Sequence, residues 1–438
     1  MDRSRIEPDD PSVQHRVEAI ERWLARDPSR TRALADAIAD ALEPLVGLRL
    51  GGLLQSLRPV VVPRGRAAAV ARAVRFTAVR LARALGDRER TRTLPALSLT
   101  LDGADPPSRR PEDLDLLRPD GALYADGSYA MMELNAGSCV GGLVEIEALS
   151  DVMSRWYGDA VPLRWPRPAT DAARMLVRRY GRGARVAWTV LPGALQRGDG
   201  LTEAGDAFAR ACAAVGLRCD VVEADALRYD GHSVSLAGSR VDVVWRLVTP
   251  AAWCRDDGVE HLRAAARDGR VEVFSSPFEL VLNHKGALAW LSQRPRDLRG
   301  VEVPWTRFAR PAVEDGVDLL PMVRARPDAY VLKPCIDRQG RRVVIGREAK
   351  GAWPQHLVAS VLADDCVVQS LVEPPRATLP YLVDASLERV SVGVVTSPVV
   401  IRGAGGTLCA RTSVPGATGV LTHPYAGTTG LLPIVEVA

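Results

Sequence analysis

Residues 117–142 read LRPDGALYADGSYAMMELNAGSCVGG, two short strand-like runs on either side of Asp126-Gly127, the dipeptide most favoured in a two-residue hairpin turn. A loop of that length fixes the partners: Ala125 opposite Ser128, Tyr124 opposite Tyr129 and, further out, Asp120 opposite Glu133. Asn135 follows on the same face as Glu133. Directly opposed residues have Cβ atoms about 5 Å apart, so the turn gathers two carboxylates and a carboxamide on one face. Like charges placed in this way repel, and a hard divalent cation relieves the repulsion. Oxygen-only donors suit Mg²⁺, which makes Asp120, Glu133 and Asn135 the candidate metal ligands. The plainer alternative is an exposed strand end whose acids are solvated or paired with arginine, Arg118 being one partner within reach. The register decides between them, because a one-residue slip turns Glu133 to the other face.

Around this segment lie 438 residues, 47% hydrophobic and 25% charged, enough for two to four domains with sizeable cores. Disorder, a repeat array and a fibrous chain fit poorly. A net charge of +4 and the lack of a basic stripe interleaved with aromatics give little support for nucleic-acid binding, so a small-molecule partner is expected. Seven cysteines are scattered singly without CxxC spacing, which argues for reduced, mostly buried thiols rather than a disulfide framework or zinc ribbon. The opening MDRSRIEPDDPS has no apolar core for a signal peptide, and no run approaches the roughly 18 apolar residues of a membrane span; a cytoplasmic location is expected.

Four regions are expected. Residues 1–92 are helical, with apolar residues at three-and-four spacing interrupted by a short apolar run between Pro59 and Pro63. Residues 93–165 open with a strand-like TLPALSLTLDG, carry the carboxylate hairpin and end in a helix. Residues 166–280 alternate strands and helices, which predicts a doubly wound parallel sheet without a GxGxxG fingerprint. Residues 281–438 begin with a helix in NHKGALAWLSQ and then turn strand-rich.

The composition singles out two residues. Of 57 basic residues only three are lysines, Lys285, Lys333 and Lys350, so this chain uses arginine by default. Lys333 lies in the apolar strand AYVLKPC, where an ammonium group must reach water or meet an anion. The loop after it carries Gly340, a shape that can fold over phosphate. Lys285 starts a helix, where a cation is unfavourable unless an anion lies nearby. Either alone reads most simply as a snorkelling side chain. Together they point to phosphate-binding lysines, compact and flexible where arginine is a planar fork. Lys350 reads as a surface residue. The six histidines form no dyad or metal pair, and His284 suits a helix-end hydrogen bond.

The carboxylate hairpin, two separated lysines, a glycine-bearing loop and the strand running into CVVQSLVEPP together resemble the ATP-grasp ligases. In most of those enzymes the metal-binding acid and the Glu-x-Asn segment follow the lysines. Here RPD and ELN precede both, an order similar to that of the circularly permuted ATP-grasp enzymes related to the glutathionylspermidine synthases. The resemblance spans roughly residues 93–415. It implies an α+β and α/β chain with a permuted ATP-grasp fold, a doubly wound region like the domain that precedes ATP-grasp modules, and an N-terminal helical segment. Residue by residue, it implies Asp120, Glu133 and Asn135 as Mg²⁺ ligands, Lys285 and Lys333 on the phosphates of ATP, and Gly340 in the covering loop. Gln369, Ser370, Leu371 and Val372 would form the hinge that reads adenine. Arg246 in VDVVWR and Arg411 in GAGGTLCAR would contact an acyl phosphate or substrate. The implied activity is ATP-dependent carboxylate–amine ligation through an acyl phosphate, in peptide or natural-product biosynthesis. The same site would also serve a small-molecule kinase or a nucleotide-binding module without catalysis. The loop has fewer glycines than many members, and the amidase part of bifunctional relatives has no counterpart, so no Cys–His hydrolase is implied.

Overall fold

A computed structural model describes residues 3–46, 55–85, 114–137, 140–197, 200–248, 253, 256–274, 282–310, 313–314, 317–336, 342–362, 366–404, 406–413 and 429–438. The strand expected at 93–103 and Gly340 with its loop lie outside these residues.

The three N-terminal helices form where the apolar spacing places them, at Pro11–Ala25, Pro28–Val46 and Arg66–Leu85. Asp10 caps the first by accepting from the Ser12 N–H at 2.8 Å. Leu34, Ile38, Leu42 and Leu45 form the buried stripe of the second. The apolar run between Pro59 and Pro63 becomes the buried strand Val60–Val62, parallel to Thr429–Val437.

That pairing is one edge of a mixed, ten-stranded sheet among the described residues. Its main path runs Val60–Val62, Thr429–Val437, Thr407–Ser413, Ser386–Ile401, Asp120–Leu123, Tyr129–Glu133 and Val301–Glu302. The 16-residue strand Ser386–Ile401 is its spine. Its first half pairs with Arg376–Val383 through a two-residue turn whose Asp384 and Ala385 both adopt positive φ, 45° and 68°. Its second half pairs with Thr407–Ser413 on one edge and meets the carboxylate hairpin on the other, Thr396 opposite Gly121.

The alternating region forms a four-stranded parallel sheet in the spatial order Glu272–Phe274, Val243–Arg246, Arg185–Val190, Arg218–Glu223. Both faces are covered, as near-continuous apolar strands require. Phe208 of helix Leu201–Ala214 packs on Trp245, which stacks on Phe274, with ring centroids 4.7 and 4.5 Å apart. On the other face Leu262 and Ala265 of helix Glu260–Arg267 pack with Ala187, Val244 and Val273. The alternating strands and helices thus form one parallel sheet with a helix packed on each face.

A second four-stranded sheet is antiparallel, in the order Thr306–Phe308, Cys366–Ser370, Tyr330–Pro334, Val344–Ile345. The strand period of two separates its faces. Tyr330, Leu332 and Val368 join Val323, Trp353 and Leu357 in a core. Val331, Lys333, Val367 and Gln369 therefore share the opposite face, which turns Lys333 towards the carboxylate hairpin. The five described cysteines are free thiols, four of them buried. No described helix is long and apolar enough to cross a membrane.

Candidate active site

The hairpin closes on three residues rather than the expected two. Tyr124 N–H donates to Ser128 O at 3.0 Å and Gly127 N–H to Tyr124 O at 2.9 Å, so Ala125, Asp126 and Gly127 form the loop. Asp126 selects it by accepting from both the N–H and the hydroxyl of Ser128, at 2.8 and 2.7 Å. Gly127, with φ 93°, takes the left-handed position such a loop demands. The inner partners are accordingly Leu123 with Tyr129, Ala122 with Ala130 and Gly121 with Met131, one residue away from the expected register.

A β-bulge between Asp120 and Gly121 then restores it. Met132 is the extra residue, and Asp120 again faces Glu133. The bulged Met132 presents its carbonyl to Lys333 Nζ at 3.2 Å. Gly121 permits the close approach beside the bulge: a Cβ there would lie 2.3 Å from Ala130 O and 2.6 Å from the Tyr129 ring. That ring passes beneath to donate its hydroxyl to Thr396 O at 3.2 Å.

Six charged side chains and two carboxamides meet around this strand end. Asp120 Oδ2 lies 2.6 Å from Arg411 Nη2 and 3.9 Å from Arg118 Nη2, and accepts from Asn135 Nδ2 at 3.2 Å, while its Oδ1 accepts from the Ser397 hydroxyl. Burial raises the Asp120 carboxyl, but the guanidiniums of Arg411 and Arg118 and the Ser397 hydroxyl outweigh it and hold the group below the ordinary carboxylate value. Arg411 is reinforced in return. Burial opposes its charge, and Asp120 with Glu133 more than offsets that. Glu133 pairs with Lys285 Nζ at 3.2 Å. Lys333 donates to Gln369 Oε1 at 2.7 Å. Burial, with opposition from Glu133 and a further push from Lys285, lowers its pKa to about 8.

The segment that carries Lys285 is stitched in place at its backbone. Asn283 brackets Ala136, its Oδ1 accepting from the Ala136 N–H at 2.6 Å and its Nδ2 donating to the Ala136 carbonyl at 3.2 Å. Lys285 N–H donates to Cys335 O at 3.0 Å. His284 Nδ1 accepts from the Gly286 N–H at 3.1 Å, the helix-end role expected of it. The ammonium of Lys285 escapes the positive helix end by reaching Glu133.

The remaining expected residues divide. Ser370, Leu371 and Val372 line a cavity of about 350 Å³ whose other walls include Tyr124, Ala130 and Val303. Gln369 turns the other way, its Nε2 donating to Thr306 Oγ1 at 3.1 Å and its Oε1 serving Lys333. Arg246 is buried at the C-terminal end of its strand in the parallel sheet, donating to Val248 O at 2.7 Å beneath the ring of Trp253. Lys350 is exposed, as expected. Asn283, Ser397 and Thr306 belong to the same network and were not legible as such. Their one signal is a short polar side chain next to apolar residues, Asn283 just before a helix, Thr306 at the start of a strand and Ser397 within one.

No family model and no curated protein sequence matches the chain. The fold is similar to that of a solved glutathione synthetase-like effector from Globodera pallida, with a TM-score of 0.57 and 13% identity over 93% of this chain and 97% of that one. A putative gamma-glutamylcysteine synthetase from Methylobacillus flagellatus KT matches at TM-score 0.40 and 10% identity over 81% of this chain and 86% of its own. D-cycloserine synthetase matches at TM-score 0.29 and 17% identity over 58% of this chain and 91% of its own.

Proposed function

We propose that the protein is an ATP-dependent carboxylate–amine ligase of the ATP-grasp type, with its segments in circularly permuted order, acting on small-molecule or peptide substrates in the cytoplasm. The observation that carries this is the convergence of both exceptional lysines on one carboxylate-bearing strand end: Lys285 on Glu133 and Lys333 on the neighbouring Met132 carbonyl. A fold similar to a glutathione synthetase-like effector supports it.

The hinge cavity would take the adenine. The Ser370 and Leu371 N–H groups are already engaged by Trp305 O and Ala329 O, both at 2.8 Å, so Val372 is the hinge residue left to read the base. Phosphates would extend from there to Lys333 and Lys285, which exchange the Gln369 and Glu133 contacts for phosphate oxygens. The donors Asp120, Glu133 and Asn135 are all oxygen, and the Asn135 amide nitrogen is turned to Asp120, leaving its oxygen for a cation. This set fits Mg²⁺, which when bound would neutralise phosphate charge. The substrate carboxylate then attacks the γ-phosphorus, ADP leaves, and an amine displaces phosphate from the acyl phosphate to form the amide. Preorganised cations do the chain's share of the work. Arg411, fixed by Asp120, and Arg246, from the parallel sheet, are assigned to the acyl phosphate and substrate, and Gly340 to the covering loop.

Equilibrium binding of MgATP to wild type, Lys333→Met and Glu133→Ala tests the site. Removing one charge-assisted contact weakens binding by about tenfold or more. Equal affinity in Lys333→Met would remove the nucleotide assignment, and an unchanged Mg²⁺ requirement in Glu133→Ala would remove the metal assignment.

A further inference from the structure

The cavity at the hinge has a wall that neither the resemblance nor the carboxylate cluster accounts for. Arg3, near the start of the chain, lines it together with Glu302, Pro304 and Glu373. The Arg3 guanidinium forms a two-pronged pair with Glu302, Nη1 donating to Oε2 at 2.9 Å and Nη2 to Oε1, and lies 4.9 Å from the centre of the Tyr124 ring. Glu302 raises the pKa of Arg3 further, despite its exposed position.

The arm that brings Arg3 there is anchored at every step. Arg376 N–H donates to Ser4 O at 2.7 Å and Ile6 N–H to Arg376 O at 3.2 Å, so the arm adds a short parallel bridge beside Arg376. Ala125 N–H, at the tip of the carboxylate hairpin, donates to Arg5 O at 3.0 Å. Glu7 closes the arm in a buried two-pronged pair with Arg58, at 2.6 and 2.9 Å, and accepts from Val61 N–H at 3.0 Å. An arm held this firmly positions Arg3 rather than leaving it to wander.

We propose that this N-terminal arm is part of the nucleotide site and that the Arg3–Glu302 pair is a latch over the base pocket. The inference rests on the ATP reading of that cavity. The planar guanidinium offers a face for the purine, and the pair spans the pocket between the arm and the strand that carries Glu302. The latch acts on the base end only, because the phosphate end is held by Lys285 and Lys333.

The test compares ATP with inorganic tripolyphosphate, which lacks the base, on wild type, Arg3→Ala, Arg3→Lys and Glu302→Gln. Arg3→Ala is expected to weaken ATP binding about two- to fivefold and to speed ATP dissociation, leaving tripolyphosphate binding unchanged. Arg3→Lys recovers only part of the loss, since a point charge cannot reproduce the fork. Combining Arg3→Ala with Glu302→Gln adds no further loss. Wild-type affinity for ATP in Arg3→Ala, or equal weakening of ATP and tripolyphosphate, overturns the latch while leaving the nucleotide site standing. Failure of wild type to bind ATP overturns both.

Discussion

Lys333 is held with a pKa of about 8, well below the ordinary lysine value, because burial disfavours its charge more than Glu133 supports it. Between that value and the unfolded one the unfolded chain binds more protons, so this residue makes stability rise with pH from about 8 towards 10.5. Bound phosphate favours the ammonium and raises its pKa. Nucleotide binding near pH 8 is therefore expected to take up a proton, and affinity to fall as pH rises through that value. Calorimetry in two buffers of different ionisation heat reads the uptake, and Lys333→Arg should abolish it. Absence of uptake in wild type would mean that phosphate does not meet this lysine. At Asp120 the expectation concerns stability. Arg411→Ala leaves a buried carboxylate short of its main partner and should destabilise the protein by about 3 kcal/mol in urea unfolding, whereas the joint Asp120→Asn, Arg411→Met change should recover much of it. The two lysines were legible because arginine is the default cation here. Arg411 as the partner of Asp120 was not, because 291 positions of sequence separate them and only the sheet brings them together.

At the scale of elements, the carboxylate hairpin shows how a reading can reach the right juxtaposition by an incomplete route. Asp126-Gly127 signals a tight turn, but Ser128 gives Asp126 a better local partner and lengthens the loop by one residue. Met132 takes up the difference as a bulge, and nothing in YAMME distinguishes a bulged methionine from a paired one. The facing of Asp120 and Glu133 thus survives a register error at the turn. Gly121→Ala tests the close packing behind the bulge. A methyl group there meets backbone and the Tyr129 ring, and overpacking of this kind typically costs about 1–3 kcal/mol, visible as a lowered Tm. Asn283→Ala removes both hydrogen bonds to the Ala136 backbone and should cost about 1–3 kcal/mol, while raising KM for ATP more than it lowers kcat. A fall in kcat alone would place Asn283 nearer the chemistry than its contacts do.

Across the whole molecule, the parallel sheet was the most legible part, because its strands and helices follow one another in sequence and its apolar runs are long. The central sheet was not. It joins Val60–Val62, Val301–Glu302 and strands beyond residue 376 to the hairpin, pairings that no local pattern records. The valines between Pro59 and Pro63 read as an interruption of helices, yet they are an edge of that sheet. The N-terminal region gains a place as well: its helices share the core of the central sheet, and Arg3 lines the cavity beside Ser370, Leu371 and Val372. What unites these parts is one proposed reaction, and isotope transfer tests it most directly. The protein is incubated with MgATP, an amine pool and carboxylic acids labelled with ¹⁸O in the carboxylate, and the released phosphate is weighed by mass spectrometry. Ligation through an acyl phosphate moves one labelled oxygen from the acid to each phosphate, and Glu133→Ala abolishes the transfer. Phosphate released without label, or label transfer that persists in Glu133→Ala, contradicts the mechanism assigned to this site.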